Sequence, residues 1–414
     1  MLTILGRKAA DEKSLLCLDI GTAFIRASVF HQVNEQLELK GYGTVAQQTG
    51  NIQGGSIINL AQTIANVQEA VKKAENMARL SPKNVVVGVS GELVKGTTVT
   101  LQYLRDKPEK KIDGQELKSI IYELQWQAFD LIRKQISEEM CLPEIDLKLV
   151  NASIVSIRVD DAIVQDPRGI SGAKVEMEIF NCFAPLQHFG HIQTIAVELP
   201  FHELKGVFIQ SFGVAHSLAL KNSLESAIVI DIGAGTTDVC VMVDGKIIGN
   251  RSFAFGGNSL TKRISYELST SFPEAESIKL SYCEDELEKK SIKIIADALH
   301  SDMDIWISSL DFCMKELPIR RLPHKILLCG KASRMKEFTE VLLHHDWQHH
   351  FPTDGEKVEV RQLTYADIFE GENDEKFDRE FLPLLAVANT AYDLLYNNSS
   401  VEAILNGIIA DKGV

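Results

Sequence analysis

Two short stretches carry residue types suited to phosphate chemistry: Asp19-Ile20-Gly21-Thr22 and Asp231-Ile232-Gly233-Ala234-Gly235-Thr236-Thr237-Asp238. Glycine lets backbone N–H groups approach phosphate oxygens, threonine hydroxyls add donors, and a carboxylate at each strand end suits a magnesium ion held through its water shell. Taken singly, either stretch reads more readily as an ordinary strand-to-turn junction. The pair, each ending a hydrophobic strand and opening a hairpin, reverses that preference in favour of phosphate chemistry.

The elements that must position these turns are read from periodicity. A strand over 15–20 and a second β run over 24–30 form a hairpin, followed by polar residues through Gln53. Apolar residues at helical spacing over 57–78 lead to a continuous apolar strand over 84–89. From Glu92 the pattern changes to short β runs around an amphipathic helix over 115–139. Residues 155–185 then alternate like a meander broken by Asp166-Pro167-Arg168-Gly169. A helix is expected over 200–220, a strand over 227–232 and a second hairpin over 239–248, repeating the opening pattern as a duplicated lobe would. Helices dominate 258–317, a strand over 325–329 meets Gly330, an acidic stretch over 370–380 reads as a solvated loop, and a helix over 382–396 closes the globular part.

In this order the residues resemble the actin and Hsp70-type ATPase superfamily, which binds ATP between two duplicated lobes; the two turns stand for its phosphate motifs one and two. Val159-Asp160 followed by Asp166-Pro167-Arg168-Gly169-Ile170-Ser171-Gly172 is similar to the vDg…dPxGxxG signature of the bacterial cell-division FtsA family. Phe255-Gly256-Gly257-Asn258-Ser259-Leu260-Thr261 looks like its GGxxiT segment, and 275–282 like its AExxKxxy helix. The resemblance spans residues 13–396 and narrows to the branch containing FtsA and the type IV pilus protein PilM. It implies an α/β fold of two duplicated actin-like ATPase lobes around a nucleotide cleft, with an FtsA-type α+β subdomain inserted in the first lobe. The expected division is 13–89 with 184–222 as the first lobe core, 90–183 as the insertion, and 223–262 with 316–381 as the second lobe core. The remaining pieces are a helical part over 263–315, the closing helix over 382–396 and a C-terminal tail over 397–414.

Carried over residue by residue, the resemblance implies that Asp19 and Asp231 orient Mg2+ and water, while Gly21, Thr22, Gly233, Gly235, Thr236 and Thr237 cradle the phosphates of ATP. Arg26 falls where actin has a phosphate-contacting lysine, or is a surface charge on a hairpin. Glu276 and Lys279, three apart on one helical face, meet ribose and adenine in the family; without the match they form an exposed ion pair. Gly256, Gly257 and Gly330 permit close approach of the second lobe's backbone to the nucleotide. Gln210 falls near the family's water-orienting helix, or is simply a solvated helix position. The pattern is broken at Lys331: the family's adenine loop usually carries two glycines, and Cys329-Gly330-Lys331-Ala332-Ser333 has one. A long side chain there implies weakened or lost nucleotide binding. Ala234 replaces a frequent glycine, and Arg263 stands where FtsA sequences commonly have an acidic residue, which implies slow or absent hydrolysis.

The 414-residue length exceeds one ordinary core, and 45% apolar content excludes a mostly disordered chain. A net charge of −14 argues against a nucleic-acid partner. No apolar run is long enough to span a bilayer, and the opening residues lack the apolar stretch of a secretory signal, so a cytoplasmic protein is expected. The seven scattered cysteines read as reduced core residues. No nucleophile-elbow or HExxH pattern offers a hydrolase or zinc-protease site. The run His344-His345-Asp346-Trp347-Gln348-His349-His350 is expected to be a solvated helix end, because adjacent histidines point apart. In the tail, Val401, Ile404, Leu405, Ile408 and Ile409 share one stripe, which suits membrane contact or docking onto protein; Glu402 and Asp411 against Lys412 weaken attraction to anionic lipid. Met1, Leu2, Ile4 and Leu5, with Arg7 and Lys8, read as a frayed terminus. The expected function is FtsA-like nucleotide-dependent assembly at the inner membrane, peripheral at most, with a tubulin-like division protein as partner or with self-polymerisation. The alternatives are a PilM-like adaptor binding membrane proteins of a pilus platform, and a pseudo-ATPase scaffold.

Overall fold

A computed structural model describes residues 11–33, 36–91, 95–140, 146–200, 202–221, 224–353, 355–369, 381–396, 401, 403–405 and 407. The apolar N-terminal residues, Cys141, the acidic stretch over 370–380, and Glu402, Ile408, Ile409, Asp411 and Lys412 lie outside them.

The chain opens with β1 (Asp11–Ile20), β2 (Phe24–Val33) and β3 (Gln36–Ala46), then the small pair β4 (Ile52–Gln53) and β5 (Ser56–Ile57), α1 (Leu60–Ala78) and β6 (Pro82–Val89). Leu15, Leu16, Cys17 and Leu18 are all buried, because β1 lies mid-sheet with both faces covered; a continuous apolar run is what such a position requires. Asn59 caps α1 by accepting from the Gln62 N–H. Next come β7 (Lys95–Leu104), α2 (Gly114–Met140), β8 (Leu147–Val159), β9 (Ala162–Val164), β10 (Lys174–Pro185), α3 (Leu186–Val197), β11 (Glu203–Ile209) and α4 (Gln210–Leu220). The second half holds β12 (Ala227–Ile232), β13 (Thr237–Val243), β14 (Lys246–Phe253), α5 (Gly257–Glu267), α6 (Phe272–Cys283), α7 (Lys289–Lys315) and β15 (Lys325–Cys329). A 3-10 turn (Lys331–Arg334), α8 (Lys336–His344), α9 (Trp347–His350), β16 (Glu359–Gln362), α10 (Tyr365–Ile368) and α11 (Leu382–Tyr396) follow.

Two sheets repeat one plan. The first runs β11-β6-β1-β2-β3, with β1–β2–β3 antiparallel and β6 and β11 added in parallel. In the second, β12–β13–β14 are antiparallel and β15 and β16 are added in parallel. Helices α4 and α11 pack on each other, α11 also against β1 and α4 also against β12 and β13, so residues of both sheets share one apolar core. Helices α5 to α8 close the opposite face of the second sheet around Trp306 and Phe338.

Two expectations need correction. The expected helix over 200–220 is a strand followed by a helix: Gly206-Val207-Phe208-Ile209 favours extended backbone, and β11 finds a parallel partner in β6 before α4 begins at Gln210. The supposedly polar stretch before Gln53 contains β3, whose alternation of Leu37, Leu39 and Val45 is interrupted by Gly41 and Gly43. The segment between β6 and α3 builds its own core beneath α2. Its strands extend the second sheet, through β7 pairing with β14 at Thr97–Gly249 and Gly96–Asn250. The tail docks here: Val401 and Leu405 are buried in that core and Ile404 packs against it.

Candidate functional site

The duplicated architecture sets the two turns face to face. Gly235 lies so close to the opposite lobe that a Cβ there would sit 2.7 Å from Thr22 Oγ1, so only glycine fits the approach. Gly330, at φ +81°, faces Asp231 and the Ile232 carbonyl, leaving no room for a side chain. The N-terminus of α5 is sewn under the second turn: Gly257 N–H donates to Gly233 O (2.9 Å) and Asn258 N–H to Ala234 O (2.8 Å). Gly91, just past β6, donates its N–H to Asp238 Oδ1 (2.9 Å) and ties the two halves at the cleft floor.

Asp19, buried at the end of β1, accepts from Gln210 Nε2 (2.6 Å) on one oxygen and from Arg26 (2.8 Å) on the other. Arg26 is therefore no surface hairpin charge, and Gln210 no solvated helix position. In-register pairing of Asp19 with Arg26 across the first hairpin brings the cation inward. Asp231, buried at the matching end of β12, has its carboxyl pushed up to about 8, first by desolvation and then by the negative charges of Asp238 and Asp19, with Arg26 opposing. Two mutually repelling carboxylates at the ends of facing strands are a donor set suited to a hard divalent cation such as Mg2+.

Other candidates are committed to structural contacts. Thr237 donates to Phe255 O (2.7 Å) and accepts from Trp306 Nε1 (3.0 Å), so its hydroxyl is fixed in the core. Thr236 Oγ1 bonds Asp238 (3.3 Å). The Lys279 ammonium is buried and donates to Gly257 O (3.1 Å), Thr261 Oγ1 (2.7 Å) and Glu276 Oε2 (2.7 Å), which anchors α6 to α5. Glu276 also accepts from Thr261 (2.5 Å). The Lys279 ammonium is thus buried under α5 with a half-buried Glu276 beside it, rather than part of an exposed pair. Arg263 is held by Asp302 of α7 (2.9 and 3.0 Å).

Lys331 stands where sequence reasoning placed the conflict. Its Nζ lies 5.0 Å from the centre of the Phe24 ring, which belongs to the opposite lobe, and the Arg26 guanidinium lies 5.4 Å from the same ring. Phe24 is thus gripped by two cations, and Phe381 adds a second ring 5.9 Å from Arg26. No motif pointed to Phe24 or Phe381, and Asp238 was visible only as the last residue of the second turn. Replacing Lys331 by Gly is expected to tighten ATP binding about two- to fivefold, the equivalent of one cation–π contact that need no longer be broken. Calorimetry checks this; weaker binding would mean that the lysine itself contacts the nucleotide.

The paired lobes and their facing turns define the class by fold: the chain has an actin-like ATPase fold, and its sequence is similar to that of FtsA proteins. The sequence profile described as "Cell division protein FtsA" matches residues 228–362. The chain is similar to the cell division protein FtsA of Enterococcus hirae, 27% identical over 278 residues, which cover 64% of this chain and 57% of that protein. It is 24% identical over 263 residues to the cell division protein FtsA of Bacillus subtilis, covering 63% and 56%. The chain thus spans somewhat more than half the length of the relatives it matches. A solved structure, the PilM-PilN type IV pilus biogenesis complex, superposes with a TM-score of 0.61 at 18% identity, over 91% of this chain and 98% of that one.

Proposed function

We propose that this chain is a nucleotide-dependent assembly protein of bacterial cell division, with ATP and Mg2+ taken between the turns after β1 and β12. The observation that carries the reading is the contact of Thr22 with Gly235 across the cleft, with Asp19 and Asp231 buried beside it. Gly21, Thr22, Gly233 and Gly235 would hold the phosphates, Asp19 and Asp231 the metal's water shell, and Gly256, Gly257, Glu276 and Gly330 the nucleoside side. When bound, ATP would supply phosphate charge to the turns that these residues line. Asp19, Gln210 and Arg26 satisfy one another, which fits slow or absent hydrolysis and a switch that works by occupancy. Partners would be a tubulin-like division protein or further copies of the chain, at the inner membrane and peripheral to it. Among the described residues no helix is long and apolar enough to cross a membrane.

Saturation with Mg-ATP at about 100 times its dissociation constant is expected to add about 2.7 kcal/mol of stability. A thermal-shift titration in millimolar Mg-ATP checks this, and the absence of any shift would remove the nucleotide reading.

A second reading is an adaptor like PilM that binds a membrane protein's segment. Burial of Val401 and Leu405 in the core beneath α2 favours it, since those two apolar side chains are then withdrawn from any lipid surface. In either reading residues 90–183 would carry partner specificity. Their strands share the second sheet and Phe180 stacks on Phe212 of α4 (4.6 Å), so surface substitutions test this better than excision.

A further inference from the structure

The histidine run at 344–350 is not uniformly solvated. His344 Nδ1 bonds Glu340 O of its own helix, and His349 lies edge-on to His350. His345 and His350 instead converge on Asp311 of α7: His345 Nε2 lies 2.8 Å from Oδ1 and His350 Nδ1 3.3 Å from Oδ2. The convergence follows from a break in the helix. His345 is extended, Asp346 caps α9 by accepting from the His349 N–H, and Trp347, its indole donating to Leu342 O, packs edge-on against the His345 ring. Those constraints bring the rings of His345 and His350 into a stack 5.0 Å apart.

A cation and a carboxylate both converge on His350. Lys315 Nζ lies 3.2 Å from Nδ1, and an ammonium only donates, so Nδ1 is there an acceptor. The same nitrogen lies 3.3 Å from Asp311 Oδ2. The ligand atoms of Asp311, His345 and His350 all lie within 4.8 Å of one another. A zinc ion with ligands at about 2.0–2.2 Å in tetrahedral array needs them about 3.3–3.6 Å apart. Asp311 is 7% exposed, so the set is held from one side by packing, and Lys315 is exposed enough to swing away.

We propose that Asp311, His345 and His350 form a site for a divalent transition metal of the zinc class, which clamps the α8–α9 turn to α7 and displaces the Lys315 ammonium. Two imidazoles and a carboxylate select such a metal over Mg2+ or Ca2+, whose preferred ligands are all oxygen. The three ligands leave a fourth position for water.

The test uses the full chain without a histidine tag, stripped by chelator, and titrated with Zn2+ by calorimetry and with Co2+ by visible absorption. One equivalent should bind with the d–d bands of a low-coordinate site. Asp311→Asn and His345→Gln should each weaken binding at least about tenfold. His344→Gln and His349→Gln should leave it unchanged, and Lys315→Met should tighten it. Should the ligand variants fail to fold, diethylpyrocarbonate footprinting of the wild type decides: Zn2+ should protect His345 and His350 and leave His344 and His349 reactive. Absence of binding, wild-type affinity in Asp311→Asn, or protection confined to His344 and His349 would overturn the site.

Discussion

Asp231→Asn is expected to make the metal-free protein more stable while removing its response to Mg-ATP. Burial and the charges of Asp238 and Asp19 push the Asp231 carboxyl from an ordinary 3.8 up to about 8. Between those values the folded chain holds a proton that the unfolded chain has released, so the contribution, fully present below pH 4, is lost progressively as pH rises to 8. At pH 7 the penalty is a few kcal/mol, and a neutral asparagine does not incur it. Urea unfolding in chelator across pH 5–9 should therefore show a falling stability for wild type and a flatter profile for the variant. The same substitution takes away one of the two facing carboxylates, so the thermal shift with Mg-ATP should vanish. A variant that is less stable than wild type at pH 8, or that still responds to Mg-ATP, would contradict the role given to Asp231.

Leu405→Ala should cost about 2–5 kcal/mol, the range for a buried leucine whose site only partly collapses. Leu405 is fully buried in the core that also contains Leu117, Ile120, Leu124 and Leu149. The loss should appear in the segment containing α2 and β8 to β10, seen as faster amide exchange there with little change around β12. Because Val401, Ile404 and Leu405 already pack on that core, wild type should not float with anionic vesicles, whereas Leu405→Asp, which cannot stay in that core, should expose α2's apolar face and self-associate. Flotation of the wild type would show instead that the stripe leaves the protein for lipid.

The phosphate turns were legible locally because a carboxylate-glycine turn is written in consecutive residues, and its duplication could be seen by reading the chain twice. The strands at 227–232 and 325–329 and the helix at 382–396 were legible for the same reason: each is a predominantly apolar stretch with a clear stop. β11 was misread because its short apolar run runs straight into that of α4, and only its parallel partner β6 separates strand from helix. What tertiary structure decided was which charges meet. Residues Asp19 and Gln210 stand 191 positions apart, Phe24 and Lys331 lie in different lobes, and Asp311 is 34 positions before His345. Local pattern records which face of an element is apolar, since burial of that face is repaid along the element itself. The pairing of buried polar groups depends on which two elements pack together, and that is set by the sum of the cores. The four histidines illustrate the difference: in one short run His344 addresses its own helix and His349 the ring of His350, while His345 and His350 converge on α7, because an extended residue at His345 turns the chain.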